Sequence, residues 1–253
     1  MPSASPPAPA STPAPTPAAP PGGRALLLAV MLVSACGLVY ELLAAAIASY
    51  VIGDVVSQFS VVIGVYLSAM GVGAWLSRFV GKQVARRFVD IELVLALVGG
   101  ALAPALFQAF ARLGDARPVL WLLVGAVGAL VGLEIPLFLR ILEEGRVEFR
   151  ALVARVLSAD YLGSLLASLV FPLVLVPGLG MVRTSLAAGA VNAGVALWTT
   201  WLLAPSIGAT RGLRLRAAAV LVVIAIGFAL GDRLVPADDG PEFDAVPAAA
   251  AVR

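Results

Sequence analysis

Apolar runs of about twenty residues, separated by short clusters of charge, glycine and proline, recur from residue 25 to residue 231. A helix needs ~20 mostly apolar residues to cross the hydrocarbon core of a bilayer. The pattern predicts seven spans, at roughly 25–52, 56–77, 91–111, 119–140, 156–177, 183–204 and 215–231. The last is the shortest and directly follows a basic loop. The first is too long for the apolar part of a cleaved signal, and Glu41 interrupts it, so it reads as a span. The predicted fold class is therefore all-α, a polytopic membrane helical bundle of about seven transmembrane helices, occupying residues 24–231. A Pro/Ala-rich tail at 1–23, without charge or large apolar side chains to pack, is expected to be disordered. A short acidic tail covers 232–253.

Composition agrees with the pattern. Of 253 residues, 61% are hydrophobic and 13% charged, and the mean hydropathy is +1.01. A soluble domain is about half apolar and a quarter charged, so lipid must cover what no core of this size can bury. The chain has no histidine and one cysteine, Cys36. That excludes a His-based metal site, a Ser/His or Cys/His nucleophile pair and an internal disulfide, and no cofactor is implied. The sequence pI of about 9.0 does not signal nucleic acid, because the basic residues are spread over short loops.

Those basic residues set an orientation. Twelve of the 17 Lys and Arg fall on one side when alternate loops are grouped: Arg24; Arg78, Lys82, Arg86 and Arg87; Arg140, Arg146, Arg150 and Arg155; Arg211, Arg214 and Arg216. The other side holds Arg112, Arg117, Arg183, Arg233 and Arg253. The N-terminus is predicted to be cytoplasmic, in the inner membrane of a bacterium, and seven spans put the C-terminal tail outside.

Helices in lipid associate through close packing and hydrogen bonds. Small residues at helical spacing are expected to face inward: Gly37, Ala45 and Ala48 with Glu41; Ser60, Gly64, Ser68 and Gly71; Gly163, Ser164, Ala167 and Ser168 with Asp160; Ser185, Gly189, Ala193 and Ala196 with Asn192. Three carboxyls, Glu41, Glu134 and Asp160, lie well inside spans, where an unpaired charge is costly and marks a functional site or a helix-fastening pair. Pro136 follows Glu134 by two residues. It removes the amide that would bond the Gly132 carbonyl, so a kink is expected there, leaving an oxygen-rich spot suited to a cation. Glu134 and Asp160 are expected to share one inward-facing site, with Arg78, Arg140 or Arg155 as charge partners.

Several stretches carry a resemblance: SACGLVYELL (34–43), SYVIGDVVSQFSVVIGVYLSAMGVGAWLSRF (49–79), IELVLALVGG (91–100), GLEIPLFLRIL (132–142), SADYLGSLLASLVFPLVLVPGLGMVRTS (158–185) and GAVNAGVAL (189–197). Through the first six spans the chain resembles the N-terminal multi-span domain of bacterial membrane-bound spermidine synthase-like proteins, the polyamine aminopropyltransferases. Carried over by position, the resemblance implies Tyr40, Glu41, Ser49, Tyr50, Gln58, Ser60, Glu92, Glu134, Pro136, Arg140, Asp160, Tyr161, Arg183, Thr184, Ser185 and Asn192 as polar motif residues. Family members usually continue into a soluble Rossmann-like transferase domain with a glycine-rich turn. Here about 22 residues follow the seventh span and no such turn is present, so the expectation is a membrane domain lacking the catalytic one and, by itself, not an enzyme.

Three functions then compete. In the first, a polyamine-related module binds or passes a cationic amine, or partners a separately encoded aminopropyltransferase. Its binding set is Glu41, Glu134, Asp160, Tyr40, Tyr161, Gln58 and Asn192, with Arg78, Arg140, Arg155 and Arg183 as charge partners. The second is a proton- or ion-coupled secondary transporter, weakened by the odd span number and the lack of an inverted repeat. The third is a structural membrane scaffold.

Overall fold

The computed structural model describes residues 23–113, 115–143 and 149–234; most of the two predicted tails lies outside them. Among the described residues the chain is helical throughout. The helices are α1 (Gly23–Ile52), α2 (Val55–Leu76), α3 (Val84–Gly100), α4 (Leu102–Arg112), α5 (Arg117–Glu143), α6 (Phe149–Val170), α7 (Val176–Leu202), the single turn α8 (Ala204–Ile207) and α9 (Arg211–Ala229). Six helical segments are long and apolar enough to cross a membrane, α3 and α4 counting as one and Phe149–Leu202 as another.

The 54-residue segment Phe149–Leu202 does not run straight. Gly163 of α6 packs on the Met31 backbone of α1, and Ala187, Ala188 and Val191 of α7 line an apolar hollow with that same Met31. Residues 25 apart on one straight helix stand about 37 Å from each other, so the chain folds back between them. The cause is local: Pro172 and Pro177 each withhold an amide, Phe171–Leu175 is a π turn, and Gly180 sits at φ 71, ψ 172, which only glycine adopts easily. Close contacts also fix the relative direction of two helix pairs. Tyr66 faces Gly128 and Met70 faces Gly132, so α2 and α5 run parallel. Gly100 meets Ser185 and Gly189, and Ala96 meets Gly189, so α3 and α7 run antiparallel.

Glycine sets the closest contact. A Cβ on Gly132 would collide with the Met70 carbonyl oxygen, and one on Gly73 with that of Ala129. The small-xxx-small pair Gly128/Gly132 thus lets α2 and α5 touch backbone to backbone. This corrects an expectation for α2. Ser60, Gly64, Ser68 and Gly71 face outward rather than into the bundle, and nothing lies within 4 Å of a Cβ on Gly64 or Gly71. The inward face is Val62, Tyr66 and Gly73, where Gly73 meets the Ala129 backbone and Gly128 and Gly132 of α5 meet Tyr66 and Met70. In α7 the expected stripe is inward: Ser185, Gly189, Asn192, Ala193 and Ala196 are all buried.

The third span also starts earlier than its hydropathy indicates. Arg86, Arg87 and Asp90 place its predicted start at residue 91, yet α3 begins at Val84. Glu92 is therefore in the third turn of a helix, not at its edge.

Candidate functional site

Glu92 on α3 and Glu134 on α5 are 0% and 2% exposed, and their side chains lie close to each other between the two helices. Among the described residues, both Glu92 oxygens and Oε1 of Glu134 have no hydrogen-bond partner. Carboxylates so placed require a counter-charge or a proton, because an apolar interior does not hold uncompensated like charges side by side. Among the described residues the ion pair given by the structure, Arg216 with Asp90 at 3.5 Å, lies elsewhere.

Aromatic rings enclose the pair. Phe88 and Phe138, each four residues from one of the glutamates and so on the same helix faces, pack with ring centroids 4.4 Å apart and planes tilted by 54°; both are fully buried. Tyr40 lies across Gly99, whose missing side chain makes room for the ring, and its hydroxyl is buried without a partner. Tyr66 Oη donates to the Gly37 carbonyl at 2.8 Å. Cys36 and Tyr40 lie close enough to feel both glutamates electrostatically, so α1, α3 and α5 together frame the site.

α7 contributes the remaining wall. Ser185 Oγ donates toward the carbonyls of Gly99 (2.7 Å) and Gly100 (3.0 Å) and accepts the Ala103 amide at 3.3 Å. It thereby satisfies the groups freed where α3 gives way to α4. Gly189 follows against Ala96 and Gly100. By the antiparallel register Asn192 then falls near the level of Leu93–Ala96, about one turn from Glu92. Asn192 is fully buried, and neither its amide nitrogen nor its oxygen has a partner. Thr184 Oγ1 is in the same condition.

The remaining expected residues divide. Glu41 is buried at the margin and lies five residues beyond Cys36 on α1, about 7 Å along the axis. Asp160 is half-buried and close enough to act on Glu134 and Tyr66; the side chain meeting Glu134 directly is Glu92. Tyr161 points outward at 67% exposed, and Gln58 is half-buried near the α1–α2 turn. Arg78 lies over Trp75 at 4.0 Å, and Arg155 is exposed. Arg140 donates to the carbonyls of Ser77 and Gly81. Arg183 lies over the Phe228 ring at 5.9 Å. Pro136 sits within α5, which continues as a helix from Arg117 to Glu143. Glu92 and Tyr66 are the members that sequence reasoning did not place at the centre. The i, i+4 pairing of Phe88 with Glu92, matched by Glu134 with Phe138, was the available signal.

Among the described residues no three acidic, Cys or His side chains converge to hold a metal ion. The chemistry open to the arrangement is to hold a proton, or a cation through charge-assisted hydrogen bonds from its donors.

Comparison with known proteins bears on function. The chain is 47% identical over 208 residues to the polyamine aminopropyltransferase of Leptospira interrogans serogroup Icterohaemorrhagiae serovar copenhageni (strain Fiocruz L1-130), covering 82% of this chain and 42% of that protein. Two proteins of Ralstonia nicotianae, polyamine aminopropyltransferases 1 and 2, are each 48% identical over 219 residues, covering 84% of this chain and 42% and 43% of theirs. The chain is similar over most of its length to polyamine aminopropyltransferases. It spans about two fifths of the length of these curated relatives. No family model and no solved structure matches. The similarity overturns the expectation of a membrane-only module, a carrier, a scaffold or an accessory to a separately encoded transferase: the relatives sharing nearly half of these residues are named as enzymes.

Proposed function

We propose that this chain forms the membrane-spanning bundle of a polyamine aminopropyltransferase, an enzyme that transfers an aminopropyl group to a polyamine. The observation that carries this reading is the 47–48% identity, over 82–84% of the chain, to proteins of that name. In this reading the bundle crosses a bacterial inner membrane seven times with a cytoplasmic N-terminus. The return of the chain between α6 and α7, the parallel α2–α5 contact and the antiparallel α3–α7 contact support seven alternating passes. The concentration of Lys and Arg in alternate loops supports the orientation.

Within that enzyme, Glu92 and Glu134, flanked by Glu41, Asp160, Tyr40 and Asn192, are the proposed contacts for an ammonium group of the polyamine. The supporting chemistry is complementary. Among the described residues both Glu92 oxygens and Oε1 of Glu134 are buried without a hydrogen-bond donor, and a polyamine supplies one as a hydrogen-bonding cation.

The test is aminopropyl transfer by membranes of cells expressing the full natural gene product. Labelled decarboxylated S-adenosylmethionine, the donor that the family resemblance implies, is supplied with putrescine. The expected result is labelled spermidine formed by the membranes and absent from membranes of the gene-deleted strain. No transfer by membranes that demonstrably contain the protein would overturn the reading.

A further inference from the structure

The connection between α2 and α3 encloses a hollow of about 450 Å³ lined by Phe79, Val80, Gly81, Lys82, Gln83 and Arg87. That volume lies within the ~300–1,000 Å³ range of small-ligand sites. Two of the six lining residues are cations and none is a carboxylate. Asp90, the acid nearest along α3, is paired with Arg216 at 3.5 Å.

The hollow is also preformed. Arg140 reaches from α5 to donate to the carbonyls of Ser77 (3.2 Å) and Gly81 (3.3 Å), pinning both ends of the loop. Gln83, at φ 55, turns the chain directly into α3 without offering a side-chain cap. Lys82 and Arg87 line the hollow at the start of a 17-residue helix, whose N-terminal dipole favours an anion.

The surroundings identify which anion. Trp75 and Phe79 are 52% and 65% exposed and meet edge to face at 5.2 Å. The Arg78 guanidinium lies 4.0 Å and 4.7 Å from their ring centroids. Aromatic rings and snorkelling cations of this kind mark the bilayer–water interface. Exposed apolar side chains precede the hollow on α2, Val72 and Leu76 among them, and two cations line it. We infer that the hollow binds the phosphate headgroup of an anionic phospholipid, held by Lys82 and Arg87 at the start of α3, with its acyl chains lying along α2. The inference rests on the membrane reading of the bundle and is independent of the enzymatic one.

Native mass spectrometry of the full chain in detergent, titrated separately with phosphatidylglycerol, phosphatidylcholine and inorganic phosphate, tests it. Phosphatidylglycerol is expected to bind in preference to phosphatidylcholine. Lys82→Gln with Arg87→Gln should weaken that binding about 30-fold, since each basic residue near an anionic surface contributes a few-fold. The equal-charge control Arg150→Gln with Arg211→Gln should change it less than about threefold. Lys82→Arg with Arg87→Lys should restore it, which separates lost binding from lost folding. Equal binding of the two lipids, or an equal loss in both double variants, overturns the site. Displacement of the lipid by inorganic phosphate overturns the lipid assignment in favour of a free anion.

Discussion

Glu92 and Glu134 lie close together between α3 and α5, one turn from the packed rings of Phe88 and Phe138. Two acids and two aromatics thus form successive layers between the same pair of helices. The acids are the part that packing alone does not explain, because apolar residues of similar volume would hold the helices without a buried polar cost.

Replacing either acid should separate function from fold. Glu92→Gln and Glu134→Gln keep volume and hydrogen-bonding capacity while removing the charge. Each is expected to leave the melting temperature in detergent within a few degrees of wild type and to reduce aminopropyl transfer by at least about tenfold, the loss of one charged contact. Paired melting curves and transfer rates check this; unchanged rates with full expression would remove both residues from the site.

Close packing between α2 and α5 makes a sharp contrast among glycines. Gly132→Ala puts a Cβ against the Met70 carbonyl, a backbone atom that cannot rotate away. It should destabilise by about 1–3 kcal/mol or more. Gly71→Ala meets open space on a helix and should be neutral or slightly stabilising. Detergent melting temperatures of the two variants, expected to move apart, decide it.

The same contrast shows what was legible in the sequence. Small residues at helical spacing predicted that α2 packs closely, but two faces of α2 satisfy that spacing, and the face that packs is set by Gly128 and Gly132 on its partner. Glu134 stood out because an acid two residues before proline is rare in an apolar run. Glu92 did not, because Arg86, Arg87 and Asp90 pull the local hydropathy down and shift the apparent start of the helix past its first turns. Asn192 and Ser185 were readable from the stripe on α7. Tyr161 was not, since an exposed tyrosine and a buried one look alike in sequence.

Ser185 should matter more than its size implies. Ser185→Ala leaves the Gly99 and Gly100 carbonyls and the Ala103 amide without their shared partner and is expected to cost about 1–3 kcal/mol. Tyr66→Phe removes one hydrogen bond, to Gly37, and is expected to cost about 1 kcal/mol. Equal melting temperatures for the Ser185 variant and wild type would refute the stated role at the α3–α4 junction.

The α1–α2 turn carries a pH signature. Asp54 caps α2 by accepting the Ser57 amide at 3.3 Å, and the Ser57 hydroxyl first, with that amide second, holds its carboxyl below the usual aspartate range. A lowered value in the folded state means that the carboxylate stabilises the fold above the unfolded value, about 4, and that this contribution is lost as pH falls through the folded one. Asp54→Asn should therefore melt below wild type at neutral pH, and the two curves should converge on acidification. Divergence at low pH would contradict the cap.

The most direct test of the central claim, that the Glu92–Glu134 pair takes its counter-charge from a polyamine, is ligand-dependent melting of the purified full chain in detergent. Spermidine is expected to raise the melting temperature of wild type and to leave Glu92→Gln/Glu134→Gln unmoved, while sodium chloride at equal ionic strength shifts neither. An equal spermidine shift in wild type and the double variant, or no shift in wild type, would contradict the claim.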